Sequence, residues 1–380
     1  MISNARLQGI SFAMVTAVAG WFCAAQTPPV VKWQCEPDSR LIAPATQRAS
    51  SGPSATAPAT QHSVDPAAIK SNIKISSVVR MSREVVIPPV PSRYLLTYCN
   101  WKAGLGWELW DLGQGVKAAE GKAGLPFNHP ILSPTGEYVA CPTGGGAEGN
   151  RVEVWSLKTG QRAASFKGSQ MPIGFVGTDR VLLKSELLDR NKKIEVRNIK
   201  TGDITATILP EYLEPIGQSP TGKYLLIYGW EELRIYDTSS GKQTGVIEIK
   251  RPPGENAPFA AKSMAFTGDG KELTLFLYAS TAGKTRIIVV DFASGEKTFD
   301  RMLVLPGDFK QETAITYLPD HSGWLLFERS VVDRATMKSI HTLPKEPKYR
   351  RMVSNTEALR VYETLTGGTT HLRIDTMKVP

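Results

Sequence analysis

The sequence predicts an all-β domain, a closed ring of seven four-stranded repeats, and three observations predict it. Short apolar runs alternate with period two and are broken by Gly and Pro: RYLLTYC, RVEVWSL, KYLLIYG, LRIYD, ELTLFLYA and RIIVVDF. One strand ending recurs along the chain at near-constant spacing. The turn Ser-Pro-Thr-Gly occurs at 133–136 and again at 219–222. β-Branched and aromatic residues at period two suit a half-buried pleated strand. No long stretch carries the 3.6-residue apolar period of an amphipathic helix.

Taken in order, the chain opens with MISNARLQGISFAMVTAVAGWFCAA, which has Arg6, no acidic residue and an apolar run from Ile10 to Phe22. Cys23-Ala24-Ala25 then offers a small-residue cleavage site before Gln26, so residues 1–25 read as a secretory signal peptide. The run is short for a bilayer span, which makes cleavage the expectation and a membrane anchor from residues 7–25 the alternative. Export to the periplasm or cell envelope follows. Cys23 does not make a lipoprotein signal, because Trp21 and Phe22 stand where small residues are needed. Residues 26–72 are dominated by Pro, Ala, Ser, Thr and Gln. They bury too little apolar surface to offset their ordering entropy, and a disordered tether is expected. The folded domain is expected over 73–380.

Within that domain the recurring strand ends in WELWD at Asp111, VEVWS at Ser156, IEVRN at Asn198, LRIYD at Asp237, IIVVD at Asp291, SVVD at Asp333 and LRID at Asp375. These seven anchors are 45, 42, 39, 54, 42 and 42 residues apart. A glycine four residues past the anchor (Gly115, Gly160, Gly202, Gly241, Gly295) supplies the positive φ of a tight hairpin, and an Asp or Asn anchor bonds the backbone ahead. A period of 40–45 residues with four strands per unit predicts a seven-bladed β-propeller. Leu-Pro pairs at 125–126, 209–210, 305–306 and 343–344 mark where one unit hands over to the next, since proline cannot continue a ladder. Asp375 lies five residues from the end, leaving no room for an outer strand. The orphan strand SNIKISSVVR (71–80) is therefore expected to complete blade seven and close the ring.

The Ser-Pro-Thr-Gly turns, Trp110-Asp111, Tyr236-Asp237 and their following glycines resemble the WD40-like and YVTN-like propellers of exported bacterial proteins, over roughly residues 73–380. The chain departs from true WD40 repeats in lacking their upstream Gly-His pair and in carrying Trp-Asp once. The resemblance implies the fold class.

With strands lettered a to d from the axis outward, the a–b and c–d turns share one face of the ring, and the b–c loops and d–a crossings share the other. The first face is monotonous. The second gathers irregular segments such as TGGGAEGN and KRPPGENAPFAAK, and binding residues usually sit on loops held by a rigid scaffold. Candidate binding residues on it are Trp101, Lys102, Tyr212, Trp230, Glu231, Arg251, Lys348, Arg350 and Arg351. Aromatics flanked by charge can anchor a protein partner, and can equally cap blade edges as packing. Lys345, Lys348, Arg350 and Arg351 form a basic cluster in the 343–351 loop, which serves as a solvated loop or an anion site.

Catalytic patterns are missing. The five histidines show no metal-ligand spacing, there is no G-x-S-x-G elbow, and GGGAEG precedes a strand and lacks a phosphate-loop Lys. No cofactor or metal is expected. Cys35, Cys99 and Cys141 remain after cleavage, so at most one disulfide forms. Cys99 and Cys141 occupy equivalent points of adjacent repeats and are either that pair or two buried thiols. The formal charge of +9 permits contact with anionic surfaces without demonstrating it, and few aromatics interleave with the basic residues as nucleic-acid binding needs. The expected function is a monomeric, non-catalytic exported scaffold that binds a protein or envelope polymer through its irregular face. The membrane enters only if the N-terminal segment stays uncleaved. The alternative is a lactonase-like enzyme or sugar-binding module using the central channel, with Asp179, Glu214 and Asp308 as contributors.

Overall fold

The computed structural model describes residues 69–79, 84–88, 90, 92–98, 106–121, 129–143, 150–168, 170–185, 192–211, 216–229, 231–254, 259–279, 284–303, 315–343, 349–354, 357–366 and 369–379. The expected signal segment and most of the expected tether lie outside them. The described residues hold 28 strands and no helix. The first strand, β1 (Lys74–Val79), stands apart from the regular order. Blade one follows as β2 (Glu84–Val86), β3 (Tyr94–Tyr98), β4 (Trp107–Asp111) and β5 (Val116–Gly121). Blade two is β6 (Ile131–Leu132), β7 (Tyr138–Thr143), β8 (Arg151–Ser156) and β9 (Arg162–Lys167). Blade three is β10 (Gln170–Val176), β11 (Arg180–Ser185), β12 (Ile194–Asn198) and β13 (Ile204–Ile208). Blade four is β14 (Ile216–Gln218), β15 (Tyr224–Gly229), β16 (Glu232–Asp237) and β17 (Gln243–Glu248). Blade five is β18 (Ala260–Phe266), β19 (Glu272–Ala279), β20 (Lys284–Asp291) and β21 (Lys297–Leu303). Blade six is β22 (Ile315–Tyr317), β23 (Gly323–Leu326), β24 (Ser330–Asp333) and β25 (Ser339–Thr342). The chain ends with β26 (Tyr349–Ser354), β27 (Glu357–Thr366) and β28 (Thr369–Lys378).

Each blade is an antiparallel four-stranded sheet, and blade seven has the order β1-β28-β27-β26. The N-terminal strand thus supplies the outer place, with Lys74 opposite Asp375 and Ser77 opposite Leu372. The chain is a seven-bladed β-propeller closed by pairing its two ends. Further bonds tie that seam. Lys70 N donates to Leu112 O at 3.0 Å, Thr376 N to Ile73 O at 3.1 Å, and the Ser77 hydroxyl to Glu108 at 2.8 Å.

The anchors act as caps. In blades one to six the anchor carbonyl accepts the N–H four residues on, at 2.8–3.0 Å. Its side-chain oxygen takes a further N–H of the turn, as Asp111 does from Gln114 and Asp291 from Ser294. The residue after the anchor donates its N–H back to the a–b turn of the same blade: Leu112 to Arg93, Leu157 to Glu137, Ile199 to Asp179, Thr238 to Lys223, Phe292 to Lys271 and Arg334 to Ser322. The two turns of the regular face are therefore stitched together six times over. Each of these hairpins also carries one bulge, between the two residues preceding the anchor, with the extra residue on strand d. In three blades that residue is a threonine (205, 244 or 298) whose hydroxyl donates to the carbonyl two before the anchor.

Two details differ from the sequence expectation. In blade six the glycine place is held by Met337 at φ 56°, its side chain packed on the core shared by blades five and six. Asp375 does not end its strand, and β28 runs on to Lys378 because no hairpin follows it. Asp375 is instead buried and paired with Arg360 at 2.9 Å and Arg373 at 2.6 Å.

The apolar side chains form seven clusters, and each is shared by two neighbouring blades. Leu96 and Trp107 of blade one meet Val139, Cys141 and Leu157 of blade two. Ile73, Leu359 and Ile374 of blade seven meet Leu95, Trp110 and Leu112 of blade one. The residue after the anchor (Leu112, Leu157, Ile199 or Phe292) reaches into the cluster shared with the preceding blade. In blade six that role passes to Arg334, which forms two bonds to Glu272 of blade five at 2.8 and 3.0 Å. Full burial of a large apolar side chain stabilises by about 1.5–3 kcal/mol, so each seam is worth many such contributions. Cys141 is a free, buried thiol whose sulfur faces the Glu153 carbonyl at 3.8 Å, and Cys99 lies outside the described residues.

Two turn glycines separate strain from crowding. Gly241 has φ 72°, and a Cβ there meets the Thr207 carbonyl oxygen of blade three at 2.3 Å, whereas Gly160 has φ 67° and open space around it. Gly160→Ala is expected to cost about 1 kcal/mol from the left-handed backbone alone. Gly241→Ala should cost about 2–4 kcal/mol, because the blade three to blade four contact must also open. Urea unfolding midpoints check this, and equal costs contradict the close contact.

Candidate functional site

The irregular face begins where strands a and c start and strands b and d end. Among the described residues on it are the whole b–c turn of blade six and Glu231 of the blade four turn, and both carry left-handed non-glycine backbone. Blade four passes through Glu231 at φ 66°, and blade six turns through Phe327 and Glu328 at φ 56° and 55°. Left-handed backbone costs a non-glycine residue roughly 1–2 kcal/mol, so neighbouring contacts must hold these turns. Glu231 is held by an ion pair with Arg251 from the following crossing, and its carbonyl accepts the Ile249 N–H at 2.6 Å. Phe327 is buried edge-on against Phe276 of blade five, with ring centroids 5.4 Å apart. The Glu328 carbonyl accepts the Arg350 guanidinium of blade seven at 3.0 Å, and its carboxylate accepts the Arg350 N–H at 3.2 Å. One turn thus bridges three blades.

The structure treats the sequence candidates unequally. Glu231 and Arg251 meet as a pair on the face, with the Arg251 side chain 38% exposed. Arg350 and Arg351 do not sit in an open basic loop. They belong to strand β26, where Arg350 is only 4% exposed, and Arg351 reaches across the seam to the Ser92 carbonyl of blade one. Strand pairing buries Arg350 and leaves Arg351 half-buried across the seam, which a run of charges in sequence does not reveal. Trp101, Lys102, Tyr212, Trp230 and Lys348 lie outside the described residues, as do Glu214 and Asp308. Asp179 stands in the a–b turn of blade three, on the regular face, with its carboxylate 3.7 Å from Arg180.

A second set of charges went unnoticed. Glu108, Glu153 and Glu195 stand three residues before the anchors of blades one, two and three, and all are buried. Glu108 takes Lys117 at 2.8 Å and the Ser77 hydroxyl. Glu153 takes Arg151 and Arg162, both at 3.0 Å, and the Trp155 indole N–H at 3.1 Å. Glu195 takes Lys193 at 2.8 Å, Arg197 at 2.7 Å and the Gln170 amide at 2.9 Å. The repeated offset in WELWD, VEVWS and IEVRN was a legible signal, a carboxylate at one place in three strands with an apolar residue on either side of it. Burial pushes the Glu195 carboxyl up, but its Lys193, Gln170 and Arg197 partners outweigh that and bring it down to about 2.

The axis shows little chemistry. Among the described residues the seven innermost strands contain one carboxylate, Glu84, and no histidine. No group of three or more His, Cys, Asp or Glu among the described residues is placed to hold a metal ion.

No family model matches the chain, and no curated protein sequence does. Among solved structures the chain is similar to the β-propeller domain of Cps50 (Swd1) from Myceliophteria thermophila. That domain is 12% identical, the match covers 80% of this chain and 99% of the domain, and the TM-score is 0.48. At that distance the similarity concerns the fold, and the seven blades are counted from this chain's own strand pairing.

Two variants test the electrostatics. A carboxyl with a depressed folded pKa contributes stability that is full above its unfolded value, near 4.3, and lost as pH falls towards 2. Wild-type stability should therefore drop between about pH 5 and pH 2 by an increment on the order of 2 kcal/mol that Glu195→Gln lacks. Urea titrations across that range read the difference in slope. Arg350→Ala should cost about 3 kcal/mol, since it empties a buried site and releases the Glu328 turn. Arg251→Ala, on a solvent-screened pair, should cost under about 1 kcal/mol. Matching losses for the two arginines argue against the burial difference.

Proposed function

We propose that this chain is an exported, non-catalytic scaffold that binds a protein partner or an envelope polymer through the face of its b–c turns and d–a crossings. The carrying observation is the contrast between the two faces. On the regular face six blades repeat one stitched pair of turns, and the turn backbone is spent on internal bonds. On the other face the turn of blade six and the described part of the blade four turn differ in residue and in partner, and each is contacted by an arginine. A rigid ring presenting non-equivalent loops needs no chemistry to recognise a partner. Export rests on the N-terminal 25 residues, and the Pro/Ala/Ser/Thr-rich segment gives the ring reach from its attachment or freedom after cleavage. The channel enzyme is the weaker reading, because among the described residues the innermost strands bring no acid–base pair together.

The test is an affinity capture from envelope extract of the native organism with the whole chain, a Trp230→Ala/Arg251→Glu variant and a regular-face control, Lys158→Glu. A partner retained by wild type and control but lost by the first variant is expected. Loss with the control alone overturns the choice of face. The mature N-terminus, read by mass spectrometry after secretion, is expected at Gln26, and an intact N-terminus in the membrane fraction selects the anchored form.

A further inference from the structure

Six of the seven outer strands are tied to the strand inside them by an anchor hairpin, and one is not. β5, β9, β13, β17, β21 and β25 each follow their c strand directly, whereas β1 reaches β28 from the other end of the chain. No tight turn holds β1 to its ladder. Its apolar hold is also small. Ile73, just before it, and Ile75 reach the core shared with blade one, while Lys74 and Ser76 are exposed. The rest is the backbone pairing with residues 370–375 and two carboxylates, one near each end. At the start, Glu357 of β27 accepts the Asn72 N–H at 2.8 Å, and Asn72 takes φ 56° there. At the far end, Glu108 of β4 accepts the Ser77 hydroxyl at 2.8 Å. Both carboxylates are buried, at 5% and 6% exposure. Glu357 stands opposite Lys378 on β28 and also bonds Thr376 and Ser71. Glu108 takes Lys117, which it shares with Glu120, the residue opposite it on β5. Lys74, the one cation of β1, lies on the other face of blade seven, in a row with Asp375 and Arg360.

We infer that β1 is an acid-released closing strand: protonation of Glu357 and Glu108 unclasps its two ends, and β1 leaves β28 while the other six blades keep all four strands. A proton on either carboxyl turns a charge-assisted bond into an ordinary one. Bonds from Thr376 and Asn72 hold the Glu357 carboxyl below its ordinary range. Its contribution is therefore full above the unfolded value, near 4.3, and is lost as pH falls below it. Acid also discharges Glu195, but the strands it braces are joined by an anchor hairpin and cannot depart singly. Departure of β1 leaves residues 370–375 of β28 as an open edge, a template for another strand. The seam between blades seven and one is then held by side-chain contacts alone. The inference does not depend on the scaffold reading.

Hydrogen exchange of the full chain, read by mass spectrometry at about pH 7 and pH 4 with rates referred to unprotected amides, tests it. Protection of β1 should fall by about tenfold or more between the two, the scale of losing a bond to a charged group, while β19 and β20 of blade five change by less than about twofold. Glu357→Gln should expose β1 at neutral pH and reduce its dependence on pH, with an unchanged circular dichroism spectrum. Ser77→Ala, which removes the other clasp, should act in the same direction. Protection of β1 that holds in acid, or that falls only together with β19 and β20, overturns the inference. So does a Glu357→Gln chain whose β1 exchanges like wild type at both pH values. If that variant does not fold, the wild-type comparison of β1 with β19 and β20 decides alone.

Discussion

No blade of this protein has a core of its own. A single four-stranded sheet buries one face only by stacking on another, and the seven apolar clusters lie between blades. Every other feature answers to that constraint. The ring must close, because an open array leaves two blades with an apolar face in water. The seam between blades seven and one is closed by a strand taken from the other end of the chain, which contributes Ile73 and Ile75 to the shared core as well as a ladder to β28. In blades one, two, three and five the residue after the anchor earns its apolar character the same way, by reaching into the cluster shared with the preceding blade.

Charge is distributed under the same constraint. A carboxylate placed in a seam must find partners there, and Glu108, Glu153 and Glu195 each hold basic groups of their own blade within about hydrogen-bond distance. Arg286, itself buried in blade five, does the reverse by taking Asp300 through two bonds. The basic excess of the sequence is therefore a poor guide to a basic surface. Arg350 and Arg351, neighbours in sequence, are committed to blades six and one respectively, and neither adds to an open anionic-polymer site.

Strain marks the turns where stacking imposes a path. His321, at φ 62°, fills a regular-face turn of blade six where other blades use glycine. Its ring lies edge-on to Tyr317, 5.7 Å away. Phe327 accepts a left-handed backbone because its side chain is locked against Phe276. In each case a contact with another strand outweighs a local preference, and so glycine spacing alone undercounts the turns.

The sequence by itself determined the repeat. Its seven anchors, the glycines four residues on and the orphan strand at 71–80 were enough for blade number, strand order and the mode of closure, because a hairpin's requirements are local and the period carries them along the chain. It also held, unread, the buried glutamates three residues before three anchors. The tertiary structure alone decided which charges remain exposed and which residues meet across a seam. Nothing within a few residues of Arg350 says that it will be covered by a turn of blade six. Equally, Leu209 and Leu343 precede proline alike, and only their register against the next blade buries one and exposes the other. Burial in a ring is a property of two blades at once, and the spacing of residues within one blade does not contain it.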